Sequence, residues 1–452
     1  MTQGVKSLTE GAPGKVLWKY SVPLFVSVIF QQIYSIADSV IAGKYAGEDA
    51  LAAVGDSYPV TMIFMAIAIG CNIGCSVVIS RYFGAGKFRE MKCAVSTTLI
   101  AALALSAALT VLGLLFSSAL MKMIVTPENI FEDSLLYFRI YIGGFVFLFL
   151  YNIATGVFTS LGDSRTPLWF LIGSSLGNIG LDYWFVAVLN FGVAGVAWAT
   201  FLAQGLACIF ALLALRRRVA AVETDGRAQL FSWAMFSRIA RIAGPSILQQ
   251  SFVSVGNIFI QRLINSNGSS VIAGYSAAVK LNTFTITSFT TLGNGVSNFT
   301  SQNIGAGREE RVSAGFKAGV AMAYMIAVPF VAAFLFAGAP LVRFFMKEET
   351  ELAVRTGVEF LRIVSPFYFL ISLKLIADGV LRGGGAMVQF MVSTLTDLVL
   401  RVVLAYVLYA CWGTTGIWLS WPIGWAVAAI LSLAFLHSGC WKSENARRLK
   451  KI

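Results

Sequence analysis

Charge is what this chain has least of: only 12% of its 452 residues are Asp, Glu, Lys or Arg, about half the share found in water-facing globular proteins. That deficit excludes a soluble enzyme, a disordered chain and a nucleic-acid-binding module. Histidine is almost missing. The sole one, His437, leaves no imidazole cluster for a metal site or an acid–base centre. The six cysteines (Cys71, Cys75, Cys93, Cys208, Cys411 and Cys440) show no CxxC spacing, lie mostly in apolar stretches and read as small buried residues. No GxxxxGK[ST] segment occurs, which argues against direct nucleotide coupling. The first 15 residues contain no apolar run ending in a small-residue cleavage site, so no signal peptide is expected.

What the chain has in excess is apolar surface, 57% of its residues, with a mean hydropathy of +0.77. A helix crosses a hydrocarbon core with about 20 apolar residues, and lipid offers no partners to an unpaired backbone. Twelve such stretches are predicted, at about residues 16–43, 52–82, 92–121, 134–161, 165–190, 193–215, 236–265, 271–303, 312–345, 353–383, 387–411 and 414–437. The net charge of +12 is unevenly distributed. Most Lys and Arg fall at the termini and in even-to-odd connections, as in Lys87–Arg89–Lys92, Arg216–Arg217–Arg218 and the tail after Trp441. The opposite side collects only Lys44, Lys122, Arg262, Arg343, Lys347 and Arg355. By the positive-inside rule both termini face the cytoplasm, which requires an even number of spans.

The sequence repeats itself. Ser80–Lys87 reads SRYFGAGK and Ser301–Arg308 reads SQNIGAGR, each closing a long apolar run. Pro23 against Pro245, Leu161-Gly162 against Gly384-Gly385 and Gly195 against Gly416 keep the same register. Six helices per repeat make both halves enter from one side, giving parallel repeats about an axis along the membrane normal, as in transporters. The predicted organisation is a cytoplasmic segment 1–15, an N-lobe 16–215, a charged linker 216–235, a C-lobe 236–437 and a basic tail 438–452. A channel would need a filter of carbonyl or charged rings and an enzyme a clustered reactive set; neither pattern is present.

An ionisable side chain inside a span needs a partner, water or a function. Lys374/Asp378, Asp397/Arg401 and Glu359/Arg362 are spaced to pair within their helices. Asp38 in the first span and Asp182 in the fifth have no basic residue within one turn. Gln31, Tyr34 and Asp38 form one polar stripe, and Asn178 shares a face with Asp182. Asn152 and Thr200 offer neutral oxygens on neighbouring helices. Two desolvated carboxylates can carry protons, or, among neutral oxygens, hold a hard cation such as Na+. The bland alternative pairs them with Lys280 or Arg139. Uncharged polar stripes run along Gln250, Ser254, Asn257 and Gln261 and, on the next helix, from Asn282 to Thr300, fitting either interhelical contacts or a cavity wall. Prolines fall within spans, among them Pro23, Pro59, Pro245, Pro329, Pro366 and Pro422, and Pro23 shares a helix with Asp38.

From about residue 15 to 437 the chain resembles the multidrug and toxic compound extrusion (MATE) family, on VPLFVSVIFQQIYSIADSVIAG, the paired FGAGK and IGAGR, LGDSRTP, NIGLDYWF and GVAGVAWAT. The resemblance implies an all-α integral membrane protein whose twelve helices form two six-helix lobes in a V. It also implies secondary active export of organic, often cationic, drug-like compounds in exchange for H+ or Na+ by alternating access. Carried over, it places an ion site at Asp38, Asn178, Asp182 and Thr200, with Asn152 lining the pocket and Pro23 as the bending point. Gln31, Tyr34, Gln250, Asn257, Gln261, Lys280, Asn282 and Asp378 are then expected around the cavity. The glutamate that another branch carries in the seventh span is missing, while Asp378 resembles that branch's aspartate, with Lys374 one turn away. The expected setting is a monomer in the inner membrane, needing no cofactor, nucleotide or nucleic acid. Flippases of lipid-linked substrates share this architecture, and they or a metabolite exporter are the alternative function.

Overall fold

The computed structural model describes residues 7–46, 48–124, 126–346 and 350–442. The predicted charges at Lys6, Lys347 and beyond Lys442, including most of the basic tail, lie outside the described residues. Within them every regular element is helical. In order they are α1 (Pro13–Ile41), α2 (Glu48–Gly84), α3 (Phe88–Leu115), α4 (Ser117–Met123), α5 (Phe131–Gly143), α6 (Phe145–Ser160), α7 (Arg165–Asp182) and α8 (Gly192–Ala220). The second half supplies α9 (Trp233–Asn265), α10 (Ser269–Gly305), α11 (Glu310–Phe336), α12 (Gly338–Arg343), α13 (Glu351–Val364), α14 (Tyr368–Gly384), α15 (Met387–Trp412) and α16 (Thr414–His437).

These helices cover the twelve predicted spans, four of which are broken: α3/α4, α5/α6, α11/α12 and α13/α14. Eight spans meet a criterion of length and apolarity alone, and α5/α6, bent by 48°, makes a ninth. The other three coincide with α7, α9 and α10, whose Ser, Thr, Asn and Gln dilute their hydropathy. Large exposed apolar side chains such as Leu115, Trp169 and Phe336 face outward on this multi-pass membrane protein.

The chain divides into two compact units, one built on Val22–Gln250 and the other on Leu8–Ser21 with Ser251–Ile452. The boundary therefore cuts α1 just before Pro23 and α9 at its middle, whereas the charged linker 216–235 lies wholly inside unit one. Unit one packs Phe64 and Phe149 edge to face on Phe145, with Phe138 tilted against Phe64. Unit two is centred on fully buried Trp418, Phe360 and Tyr368, with Tyr275 stacked on Trp418 at 5.3 Å.

Local geometry repeats as the sequence does. Gly86 and Gly307 both take left-handed φ, +69° and +70°, as do Gly162 and Gly385 at +79° and +84°. At these turns a side chain would be strained, which accounts for the shared glycines. Ser80 donates to the carbonyl of Ser160 at 3.1 Å, and its counterpart Ser301 to that of Gly383 at 3.0 Å. In LGDSRTP, Asp163 receives the amides of Arg165 and Thr166 at 3.2 and 3.1 Å, so its carboxylate starts α7.

Candidate functional site

The two lone acids meet in unit one. Asp182 ends the regular part of α7 and is followed by a π-helical turn, Tyr183–Val188. Asp38 lies one turn before a second π-helical turn, Ala42–Ala46, at the end of α1. Such turns recur at functional sites, because the wider ring leaves backbone groups less committed. The two turns touch through Tyr45 and Tyr183, whose rings are 5.7 Å apart.

Asp182 is 1% and Asn178 3% exposed. Asn178 Nδ2 donates to Asp182 Oδ2 at 3.0 Å, and Tyr34 OH donates to Asn178 Oδ1. The carboxylates of Asp38 and Asp182 lie within hydrogen-bonding reach of each other, and the Thr200 hydroxyl lies within reach of Tyr34. One oxygen of each acid, Oδ1, is buried and has no hydrogen-bond partner. Among the described residues neither acid forms an ion pair. The suggested cationic partners are engaged elsewhere: Arg139 Nε donates to Ser117 Oγ at 3.0 Å, and exposed Lys280 sits over the Phe345 ring in unit two.

Tyr137 of α5, buried, lies within electrostatic range of both acids, and no pattern in the sequence singled it out. Its partner Tyr141, stacked at 6.1 Å, lies four residues on, so an aromatic stripe on α5 was the available signal. Asn152 is not drawn into this group by any hydrogen bond. Its Nδ2 caps the carbonyl of Leu148 on its own helix at 2.9 Å, and its carbonyl accepts from Asn72 of α2 at 2.8 Å. Gln31 is exposed, two turns before Asp38 on α1.

The remaining expected residues belong to other places. Gln250 ends unit one, where α9 crosses the boundary. Asn257 is exposed on α9, and Gln261 donates to Asn265 on the same helix at 2.7 Å. Asn282 accepts from Tyr368 OH at 2.9 Å inside unit two. Asp378, 1% exposed, is bound by Lys374 at 2.6 Å and by Ser432 Oγ at 2.6 Å, while Lys374 also donates to Thr394 at 3.2 Å.

Of the three pairs expected within helices, only Lys374–Asp378 forms. Arg401 stacks on Trp421 at 4.6 Å and makes no ion pair with Asp397, and Glu359 accepts from Thr415 in place of Arg362. A three- or four-residue spacing permits a pair, but aromatic and hydroxyl neighbours compete for the same groups.

The MatE family model matches residues 23–184 and again 245–407. The chain belongs to the MATE family. The two matches, one per half, also mark the internal duplication. Among relatives, the probable multidrug resistance protein YpnP of Bacillus subtilis is 27% identical over 436 residues, 96% of this chain and 97% of that protein. The probable multidrug resistance protein NorM of Thermotoga maritima is 22% identical, with 97% and 95% covered. A protein named FAD transporter from Shewanella oneidensis is 27% identical over 66% of this chain and 67% of its own length. A solved structure of a MATE protein in the bent conformation superposes with a TM-score of 0.89 at 25% identity, covering 99% of this chain and all of that one. An outward-facing multidrug resistance MATE transporter gives 0.90 at 24%, with 97% and 98% covered, and so agrees in fold. The chain is accordingly a multi-pass transporter in a family of multidrug efflux proteins that work without a cofactor.

Proposed function

We propose that this MATE protein is a secondary active antiporter of the cytoplasmic membrane, with both termini inside, which exports organic and often cationic compounds in exchange for H+ or Na+. The observation that carries the reading is the juxtaposition of Asp38 and Asp182, two carboxylates without a cation, each with an unpartnered oxygen. Placing two acids side by side out of water is unfavourable unless a positive charge joins them, so the pair is built to take one up. A proton fills the site by bridging the oxygens. Na+ fills it through the same oxygens with help from Asn178, Tyr34 and Thr200. Exchange then requires that ion and substrate favour different states of the transporter, since a ligand of equal affinity for both shifts nothing.

The test is efflux of a fluorescent lipophilic cation from cells carrying wild type, Asp38→Asn or Asp182→Asn, with Na+ and pH gradients imposed separately. Export by wild type and its loss in either variant at equal membrane content support the antiporter, and the effective gradient names the ion. Failure of wild type to move the dye under either gradient sinks the drug-export reading. The Shewanella relative's name favours a metabolite exporter as the second reading, and flavin dinucleotide efflux is then the next assay.

A further inference from the structure

The turn between the second and third spans of each repeat is covered by the segment that leads into the other repeat's first helix. In unit two the cover is residues 8–11. Leu8 N donates to Gln302 Oε1 at 2.9 Å, Arg308 Nη1 to the carbonyl of Thr9 at 2.6 Å and Arg311 Nη1 to that of Gly11 at 2.7 Å. Leu8 and Thr9 are buried there, so the groove is filled by chain and its arginines by carbonyl oxygens. In unit one the cover is the end of the linker. Ser96 Oγ donates to the carbonyl of Gln229 at 3.2 Å, Ser232 N to Thr97 Oγ1 at 3.1 Å, and Arg238 Nη1 to Tyr82 OH.

Here the cover leaves a cavity of about 350 Å³, lined among others by Tyr82, Arg89, Glu90, Cys93, Ser232 and Arg238. Tyr82 stands in the repeat where Asn303 stands in unit two. In unit two the arginines are met by carbonyl oxygens of the cover, whereas in unit one Arg238, which donates to the Tyr82 hydroxyl, lines an open space together with Arg89. Next to the lining residues Gln229, Ser232 and Ala234, two large apolar side chains stand out: Trp233 is 74% and Leu230 76% exposed. The Trp233 ring packs on Phe231 and Phe236, at 5.1 and 5.7 Å. Aromatic side chains of this kind sit at the headgroup level of a bilayer, and guanidinium groups hold phosphate through paired hydrogen bonds.

We propose that this cavity binds the headgroup of an anionic phospholipid. Arg89 and Arg238 take the phosphate, Glu90 accepts from headgroup hydroxyls such as those of phosphatidylglycerol, and the acyl chains run along Leu230 and Trp233. The assignment does not depend on which ion or drug the transporter exchanges.

Native mass spectrometry of the full chain in detergent, titrated with short-chain phosphatidylglycerol, tests it. A saturable lipid adduct is expected, weakened about tenfold or more in Arg89→Gln/Arg238→Gln, where charge-assisted hydrogen bonds are lost. Ala234→Leu, which narrows the cavity but keeps both arginines, is expected to weaken it too, and decides the matter should the double variant misfold. Short-chain phosphatidylcholine, whose trimethylammonium group opposes the two arginines, is expected to give no saturable adduct with wild type or either variant, and saturable binding equal to that of phosphatidylglycerol overturns the anionic preference. Unchanged phosphatidylglycerol binding in the variants overturns the site. Competition by glycerol 3-phosphate at equal concentration overturns the lipid, since it carries the phosphate without the chains.

Discussion

Asn178 and Asp182, one turn apart on α7, are joined by a 3.0 Å hydrogen bond from Nδ2 to Oδ2, and the other end of the Asn178 amide receives the Tyr34 hydroxyl from α1. The amide thus ties the two helices that carry the acids and fixes which Asp182 oxygen stays open. Asn178→Leu keeps the volume and removes both bonds. Hydrogen bonds to charged groups contribute about 1.5–3 kcal/mol, so the ion concentration needed for half-maximal efflux in proteoliposomes is expected to shift about tenfold. An unchanged ion dependence would remove Asn178 from the site.

Gly156 of α6 is needed where α2 crosses it. A Cβ there would run into Asn72 Oδ1, whose side chain also donates to Asn152, leaving little room to move. Gly156→Ala is expected to cost about 1–3 kcal/mol through overpacking, read as a lower melting temperature in detergent. Gly173→Ala on α7 meets nothing within 4 Å. It is expected to hold or raise stability, because alanine favours a helix by about 1 kcal/mol over glycine.

The span count and the duplication were legible because both are local: apolar run length, and glycines at turns that need φ near +70°. The lone acids were legible for the same reason, since an unpaired charge stands out against an apolar run. The approach of Tyr137 to the acids was not, because the rotation of α5 is set by packing with α2 and α8, which no pattern within α5 records. The π-helical turns after both acids escaped for a similar reason: hydrophobic periodicity runs through them unbroken. Residues 8–11 read only as part of a cytoplasmic segment, yet their backbone groups pair with the second repeat's turn. Arg401 read as an ion-pair partner, while the Trp421 face beside it supplied the competing contact.

Lys374 and Asp378 lie in the interior of unit two, 3% and 1% exposed and 2.6 Å apart. If their work is structural, removing one leaves a buried lone charge, at a cost of about 3–5 kcal/mol, and removing both is far less harmful. Lys374→Met is expected to lower the melting temperature sharply, and Lys374→Met/Asp378→Leu to recover most of it with efflux retained. A stable double variant that no longer transports would instead assign the pair to the transport cycle.

Pro23 occupies a special point on α1. The helix before it is held in unit two, with Leu17 fully buried and Tyr20 OH accepting from Asn298 at 3.0 Å; beyond it the same helix belongs to unit one and carries Tyr34 and Asp38. Proline removes one backbone hydrogen bond from the helix, and Ser27 Oγ donates to the Pro23 carbonyl at 2.9 Å, a back-bond that favours bending. A bend in α1 is therefore expected just past Pro23. Pro23→Ala restores the missing donor and stiffens the helix. Its melting temperature is expected to equal or exceed that of wild type while efflux falls several-fold, the opposite signs separating loss of motion from loss of fold. Ser27→Ala, which removes only the back-bond, is expected to give the same pattern more weakly. Full efflux in Pro23→Ala would show that α1 does not need to bend during transport.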